Sequence, residues 1–337
     1  MSIPALRPDA KLPSAPFPNP VELELQRVDD LLRAELSSAV RTVFAVSRHI
    51  LDAGGKRMRP ILVLLSARAC GADSDMERAV TIAASVEMIH MATLMHDDVI
   101  DGAESRRGRK TANAFWGNQV SVLTGDYMLA KATYLLGRDG DVRIIRALSR
   151  ATIAMTEGEI RQIESRGDTG ALSEQYISII RGKTAEFMSA CCRIGAIIAS
   201  AEPPIAEAIT QYGGNLGFAF QITDDLLDLV GDPAETGKPI GGDIREGKIT
   251  MPLILAMERS NPADRMALES IVLNDGASPA DIEFVQKLIR ETDAVEGTRE
   301  IAAEYIKQAI ESLVILPPSE YRDSLDDLAH YILRRKK

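Results

Sequence analysis

The sequence predicts an all-α fold, and three observations carry that prediction. Apolar residues recur with the helical period from about residue 21 onward, and strict apolar/polar alternation is scarce. Clusters of Gly, Pro and Asp cut the chain at intervals suited to helices. In order, the Pro-rich start "MSIPALRPDAKLPSAPFPNP" lacks the apolar stretch of a secretory signal and reads as a flexible arm over 1–20. Helix 21–53 runs to "DAGGK", 57–70 runs to "CGADS", and 75–102 carries the longest apolar run. A short helix at 111–115 precedes 118–137 and 140–165, which "RDGD" separates. "SRGDTGALS" leads into 173–182, "AEPP" follows 184–200, and "GDPAETGKPIGGD" follows 203–230. The remaining helices, 249–259, 263–271, 278–291, 293–313 and 319–335, are punctuated by "NDGASP" and "LPPS". No linker-like interval divides residues 21–337, so they read as one helical domain.

Composition narrows the function. The chain has 337 residues, 45% of them apolar, which is ample for a substantial core. A formal charge of −10 argues against a nucleic-acid surface. The three cysteines, two of them adjacent as Cys191 and Cys192, match neither a disulfide framework nor a zinc spacing. They read as buried thiols in a reducing compartment. Glu87, His90, Lys131 and Arg193 interrupt the longest apolar stretches, so no clean membrane span is expected. A soluble, cytoplasmic protein is the expectation.

Chemistry enters at "HDDVID", residues 96–101, which follows the sixteen-residue run "VTIAASVEMIHMATLM". "DDLLD" at 224–228 repeats the pattern in a second apolar setting. Positions i, i+3 and i+4 of a helix share a face, so Asp97 and Asp101 align with Asp98 beside them, and Asp224, Asp225 and Asp228 do the same. Carboxylates crowded at an apolar helix end are costly unless cations neutralise them. Oxygen-only ligands suit Mg²⁺, which commonly bridges to substrate phosphates. One such string alone reads equally as a solvated acidic helix end; two copies do not.

Basic residues accompany the aspartates. "GGKRMRP" at 54–60 sets Lys56, Arg57 and Arg59 where a glycine turn gives way to a helix, whose free N–H groups and dipole favour anions. "ESRRGRK" adds Arg106, Arg107, Arg109 and Lys110, "RGKTAE" adds Lys183, and "GDPAETGKPIGGDIREGK" adds Lys238 and Lys248. Singly, each is more often an exposed charge run. Repeated beside aspartates and glycine turns, they point to a cavity for Mg²⁺ and two polyanionic groups. A lone histidine in an apolar helix is usually a core residue, but His90 lies two turns before Asp97 on the same face. Glu87 is expected to pair with a nearby base.

Read in order, "GGKRMRP", "HDDVID", "RRGRKTAN", "LTGDY", "GKTAEF", "GFAFQITDDLLD" and "GDPAETGKPIGGDIREGKITMP" give the chain its resemblance to trans-isoprenyl diphosphate synthases of the polyprenyl synthetase family, from about residue 23 to the C-terminus. The resemblance implies a multi-helix bundle of the isoprenoid synthase type with a central active-site cavity. It implies condensation of isopentenyl diphosphate with an allylic diphosphate (farnesyl, geranyl or geranylgeranyl) into a long all-trans product, octaprenyl to decaprenyl, for quinone side chains. It also implies three Mg²⁺ ions, with Asp97 and Asp101 as ligands from one motif and Asp224 with Asp228 from the other; Asp98 and Asp225 belong to the same catalytic motifs. Arg106, Lys183 and Lys238 would neutralise the allylic diphosphate. Lys56, Arg59, His90 and Arg107 would hold isopentenyl diphosphate, Lys248 joins the substrate-binding set, and the oxygens of Thr184 and Gln221 would lie near the allylic cation.

The family pattern puts the floor of the tail channel at Ala92, five positions before Asp97, with Met88 and Ser85 further down the same wall. None of the three is aromatic, so a long product is expected, although Tyr134 or Leu135 of a neighbouring helix could supply the stop. A homodimer and a transient membrane contact during product release complete the expectations. A shorter-chain farnesyl or geranylgeranyl synthase is the alternative product class. A terpene cyclase usually replaces the second motif with an Asn/Ser/Glu triad and needs no isopentenyl diphosphate site, and a non-catalytic synthase subunit predicts eroded aspartates.

Overall fold

The computed structural model describes residues 17, 19–72, 76–106, 108–166, 172–231, 240–273 and 276–335. Most of the arm expected at 1–20 lies outside the described residues, as do Arg107 and Lys238. The described residues are dominated by helices, in agreement with the period-3.6 pattern. Their strands form one hairpin, β1 (Ser105–Arg106) antiparallel to β2 (Arg109–Lys110), an element the sequence pattern does not announce.

Contacts divide the chain into two compact units. The first comprises Met1–Ala147, Cys191–Ala206 and Leu316–Ser324. It contains α1 (Glu22–Glu35), α2 (Arg41–Asp52), α3 (Met58–Ala69), α4 (Met76–Ile100), the hairpin, α5 (Ala112–Trp116) and α6 (Asn118–Asp139). The single helix expected over 21–53 is two helices. Ser37 Oγ donates to the Ala34 carbonyl at 2.6 Å and the Val40 N–H donates to Ser38 Oγ at 3.2 Å, so serine side chains compete for the backbone groups that would continue the helix.

Helix α4 is the axis of this unit and packs against α1, α3 and α6. Contrary to the expectation of no clean span, α4 is long and apolar enough by length and composition to cross a membrane. The burial of 72% of its most apolar window inside the protein accounts for that composition.

The second unit comprises Leu148–Ala190, Glu207–Ile315 and Leu325–Lys337. It draws on α7 (Val142–Glu164), α8 (Leu172–Ile180), α9 (Glu186–Ile198), α10 (Pro203–Val230), α11 (Gly242–Arg245), α12 (Met251–Arg259), α13 (Pro262–Leu273), α14 (Pro279–Glu291), α15 (Ala294–Ser312) and α16 (Glu320–Arg334). Ile222 and Leu229 of α10 pack into its core with Leu253, Ile254 and Met257 of α12 and Val285 and Ile289 of α14. The break expected at residue 183 is absent, because Arg181–Ala185 form a π-helical turn joining α8 to α9. A Cβ on Gly182 would meet the Ala154 carbonyl oxygen of α7 at 2.5 Å, so a glycine is needed for this backbone to lie so close to α7.

Candidate active site

Each unit carries one aspartate motif on a helix. In the first unit, α4 ends with Asp97, Asp98 and Asp101, and the three take different roles. Asp98 is buried and accepts a hydrogen bond from Arg106 Nε at 2.8 Å, while its backbone carbonyl accepts one from Asn113 Nδ2 at 3.1 Å. It therefore anchors the hairpin that carries Arg106. Asp97 and Asp101 are half-buried, one turn apart.

The "GGKRMRP" cations divide as well. Arg57 adopts a left-handed backbone, φ 49°, immediately before α3, and its side chain is buried. It donates to Asp29 at 3.0 Å and to Glu87 at 2.7 Å, which gives Glu87 the basic partner expected of it. Burial holds the Asp29 carboxyl above its ordinary value, with the Arg57 charge opposing. Arg57 is thus a structural ion-pair centre rather than part of an anion cradle. Arg59 instead donates to His90 Nε2 at 3.0 Å, uniting two residues assigned to one substrate group, and Lys56 is exposed nearby in sequence. His49, Arg57, Glu87, His90, Asp98 and Arg106 all line a recess of about 40 Å³. His49 was not singled out by sequence; its Nε2 donates to the Lys110 carbonyl at 2.7 Å and so ties β2 to α2.

Ser85, Met88 and Ala92 are all 0% exposed, so the wall assigned to the tail channel faces the interior of its unit. Leu135 is buried but Tyr134 is 59% exposed, which leaves Leu135 alone of that pair facing inward.

In the second unit a chain of hydrogen bonds runs through the other motif. Thr184 Oγ1, on the π-helical turn, donates to Gln221 Oε1 at 2.7 Å. Gln221 Nε2 donates to Asp225 Oδ1 at 2.8 Å, and the Tyr176 hydroxyl donates to Asp225 Oδ2 at 2.6 Å. Burial raises the Asp225 carboxyl to about 6 even though both donors stabilise its charge. Asp228 accepts the N–H groups of Gly242 and Asp243 at 3.2 and 3.1 Å, which fixes α11 to α10. Burial, then the charges of Asp228 and Asp225, pushes Asp243 well above the carboxylate range, with Lys248 opposing. Lys248 pairs with Glu246. Lys183 sits between Glu159 and Gln162 of α7, at 2.6 Å from each. Asp224 meets Arg335 at 2.7 Å.

Crowded carboxylates that raise one another's pKa call for a cation, and an oxygen-only donor set fits a hard divalent ion. Among the described residues, no group of three or more His, Cys, Asp or Glu encloses a metal by itself. Such an ion would draw its remaining ligands from water or phosphate oxygens. Tyr176, Asp243, Glu159, Gln162 and Arg335 escaped the sequence reading. Asp243 alone lay inside a quoted motif, while the others are joined to the site only by tertiary contacts.

Comparison with known proteins identifies the family. The polyprenyl synthetase family model matches residues 40–289. The all-trans-nonaprenyl-diphosphate synthase (geranyl-diphosphate specific) of Rhodobacter capsulatus is 38% identical over 94% of this chain and 96% of its own. The octaprenyl diphosphate synthase of Escherichia coli is 35% identical over 93% of this chain and 96% of its own. A crystal structure of polyprenyl synthase from Caulobacter crescentus, complexed with calcium and isoprenyl diphosphate, superposes with a TM-score of 0.90 at 37% identity, covering 94% of this chain and 96% of that one. With the family motifs, an all-α fold and these relatives in agreement, the chain belongs to the polyprenyl synthetase family.

Proposed function

We propose that the protein is a Mg²⁺-dependent trans-polyprenyl diphosphate synthase that condenses isopentenyl diphosphate head-to-tail with a farnesyl, geranyl or geranylgeranyl diphosphate. The product is a long all-trans polyprenyl diphosphate, octaprenyl to decaprenyl, destined for quinone side chains. The observation that carries this reading is that each aspartate motif is intact on its helix with cationic side chains beside it. The names of relatives at 35–38% identity support the substrate class.

Asp97 and Asp101 on α4, with Asp224 and Asp228 on α10, would hold Mg²⁺, three ions by family pattern. When bound, Mg²⁺ neutralises the diphosphate that leaves as the allylic C–O bond breaks. Arg106 and Lys183, with Lys238, which lies outside the described residues, add positive charge to that diphosphate; Lys183 does so by exchanging Glu159 for a phosphate oxygen. Arg59 and His90, with Lys56 and Arg107, hold the diphosphate of isopentenyl diphosphate, and Lys248 contributes charge nearby. The Thr184 hydroxyl and Gln221 amide, held in line by Asp225, present oxygen dipoles to the allylic cation. The double bond of isopentenyl diphosphate attacks that cation, and transfer of a proton from the resulting cation to the released diphosphate completes a chain one isoprene unit longer. A homodimer, a cytoplasmic location and a transient membrane contact for product release belong to the same proposal; nucleic acid has no part in it.

The test is chromatography of products after incubation with Mg²⁺, labelled isopentenyl diphosphate and farnesyl diphosphate. A ladder ending at long polyprenyl diphosphates is expected. Cyclic hydrocarbons or an absence of elongation would overturn the reading. Asp97→Ala and Asp224→Ala should each lower kcat by orders of magnitude with the fold retained, since each removes one oxygen ligand and relieves local repulsion.

A further inference from the structure

Arg335 follows the last residue of α16 and is the final described residue of the chain. An arginine just past a helix end ordinarily extends into water. Here the side chain is 5% exposed, its guanidinium carbon lies 4.5 Å from the centroid of the Phe220 ring, and its Nη2 is 2.7 Å from Asp224 Oδ1. Phe220 and Asp224 stand four residues apart on α10, so one helical turn presents an apolar plate and a carboxylate on one face. A planar, weakly hydrated guanidinium fits both at once, which an ammonium would not.

The neighbouring carboxylates of the motif are held from within the fold: Asp225 by Tyr176 and Gln221, Asp228 by the backbone of α11. Asp224 is held by a side chain from just beyond the last turn of α16, outside the helical hydrogen-bond ladder, so a change of its rotamer withdraws the guanidinium without disturbing α10.

We propose that Arg335 is a resident counter-cation that occupies Asp224 while no divalent ion is bound and competes with that ion for the carboxylate. The proposal rests on the reading of Asp224 as a metal ligand. A guanidinium in contact with Oδ1 faces an arriving dication with like charge, so loading requires Arg335 to withdraw. Apparent metal affinity is then reduced by the fraction of molecules in which the pair is open. If the pair is closed in about nine molecules of ten, removing it tightens metal binding about tenfold. Phe220 sets that fraction, because loss of its ring face loosens the guanidinium without touching the carboxylate.

The experiment is calorimetric titration of the full-length protein with Mn²⁺ alone, without either diphosphate, on wild type, Arg335→Gln, Phe220→Leu and Asp224→Asn. Arg335→Gln should tighten Mn²⁺ binding about tenfold, Phe220→Leu by a smaller factor in the same direction, and Asp224→Asn should weaken it whichever residue stands at 335. If Asp224→Asn weakens binding while neither Arg335→Gln nor Phe220→Leu tightens it, the competition is refuted and the ligand reading survives. If Asp224→Asn leaves binding unchanged, the ligand reading falls and takes the competition with it. Phe220→Leu keeps the question open to measurement should the Arg335 variant fold poorly.

Discussion

Asp224 and Asp225 are adjacent on α10 yet hold opposite stations: one meets Arg335 just past α16, the other is enclosed by Tyr176 and Gln221. The hydroxyl of Tyr176 therefore acts at a distance, fixing Asp225, through it the Gln221 amide, and through that the Thr184 hydroxyl. Tyr176→Phe strips a donor from a buried carboxylate, which costs about 1–3 kcal/mol. The urea midpoint should fall accordingly, and, with Gln221 in the role proposed for it beside the allylic cation, kcat should drop with little change in KM for isopentenyl diphosphate. Equal loss in kcat and gain in KM would refute that assignment. The cysteines make a second residue-scale prediction. Burial pushes the Cys192 thiol from its ordinary 9.0 up to about 12, and burial pushes Cys191 higher still. A thiol with a raised folded pKa stabilises the protein fully below the unfolded value and loses that contribution as pH climbs towards the folded one. The urea midpoint should decline from pH 9 towards pH 12, and Cys191→Ala with Cys192→Ala should flatten the decline even if it lowers the plateau.

At the scale of elements, the π-helical turn at Arg181–Ala185 depends on close backbone approach. A Cβ on Gly217 of α10 would lie 2.6 Å from Ala185 Cα, a contact that no side-chain rotation can relieve. Gly217→Ala must push α10 off the turn that carries Lys183 and Thr184. A loss of about 1–3 kcal/mol from overpacking is expected, read as a lower thermal midpoint, with kcat falling further than the same loss of stability produces at a remote site. The helices themselves were legible because Gly, Pro and Asp punctuate a sustained 3.6-residue period. The break at Ser37 and Ser38 was not, since two serines interrupt an amphipathic pattern without changing its phase. The π-helical turn reads as a break for the opposite reason: its extra residue shifts the helical phase by about 100°, so a continuous backbone looks interrupted in the sequence. In the candidate site, Asp97 and Asp101 stood out by spacing and charge, and the resemblance put Arg59 and His90 in one set, but the hydrogen bond between Arg59 and His90 was not legible. Arg57 was misleading, because a basic residue after two glycines looks the same in sequence whether it meets a phosphate or, as here, Asp29 and Glu87. Lys183 with Glu159 and Gln162, and Asp224 with Arg335, join residues far apart in the chain, and no local pattern encodes such pairs.

At the scale of the whole molecule, the open quantity is the length of chain the enzyme builds, and α4 offers the means to test it. Ser85, Met88 and Ala92 share one face of α4, are fully buried, and carry no ring. Of the two α6 residues weighed as alternative stops, Tyr134 is exposed and so does not close a channel inside this unit. A helix rises about 5.4 Å per turn, close to the reach of one extended isoprene unit, so a bulky side chain placed one turn lower should permit about one more condensation. Ala92→Tyr is expected to shorten the product most, and Met88→Phe, one turn further from Asp97, to shorten it less. Both variants leave the aspartates and Arg106 in place, so the first condensation should continue at a rate near that of wild type. Chromatography of the products from each variant, alongside thermal midpoints to exclude simple unfolding, measures the order directly. Long products from Ala92→Tyr, or shorter products from Met88→Phe than from Ala92→Tyr, would show that the growing tail does not run along this face of α4.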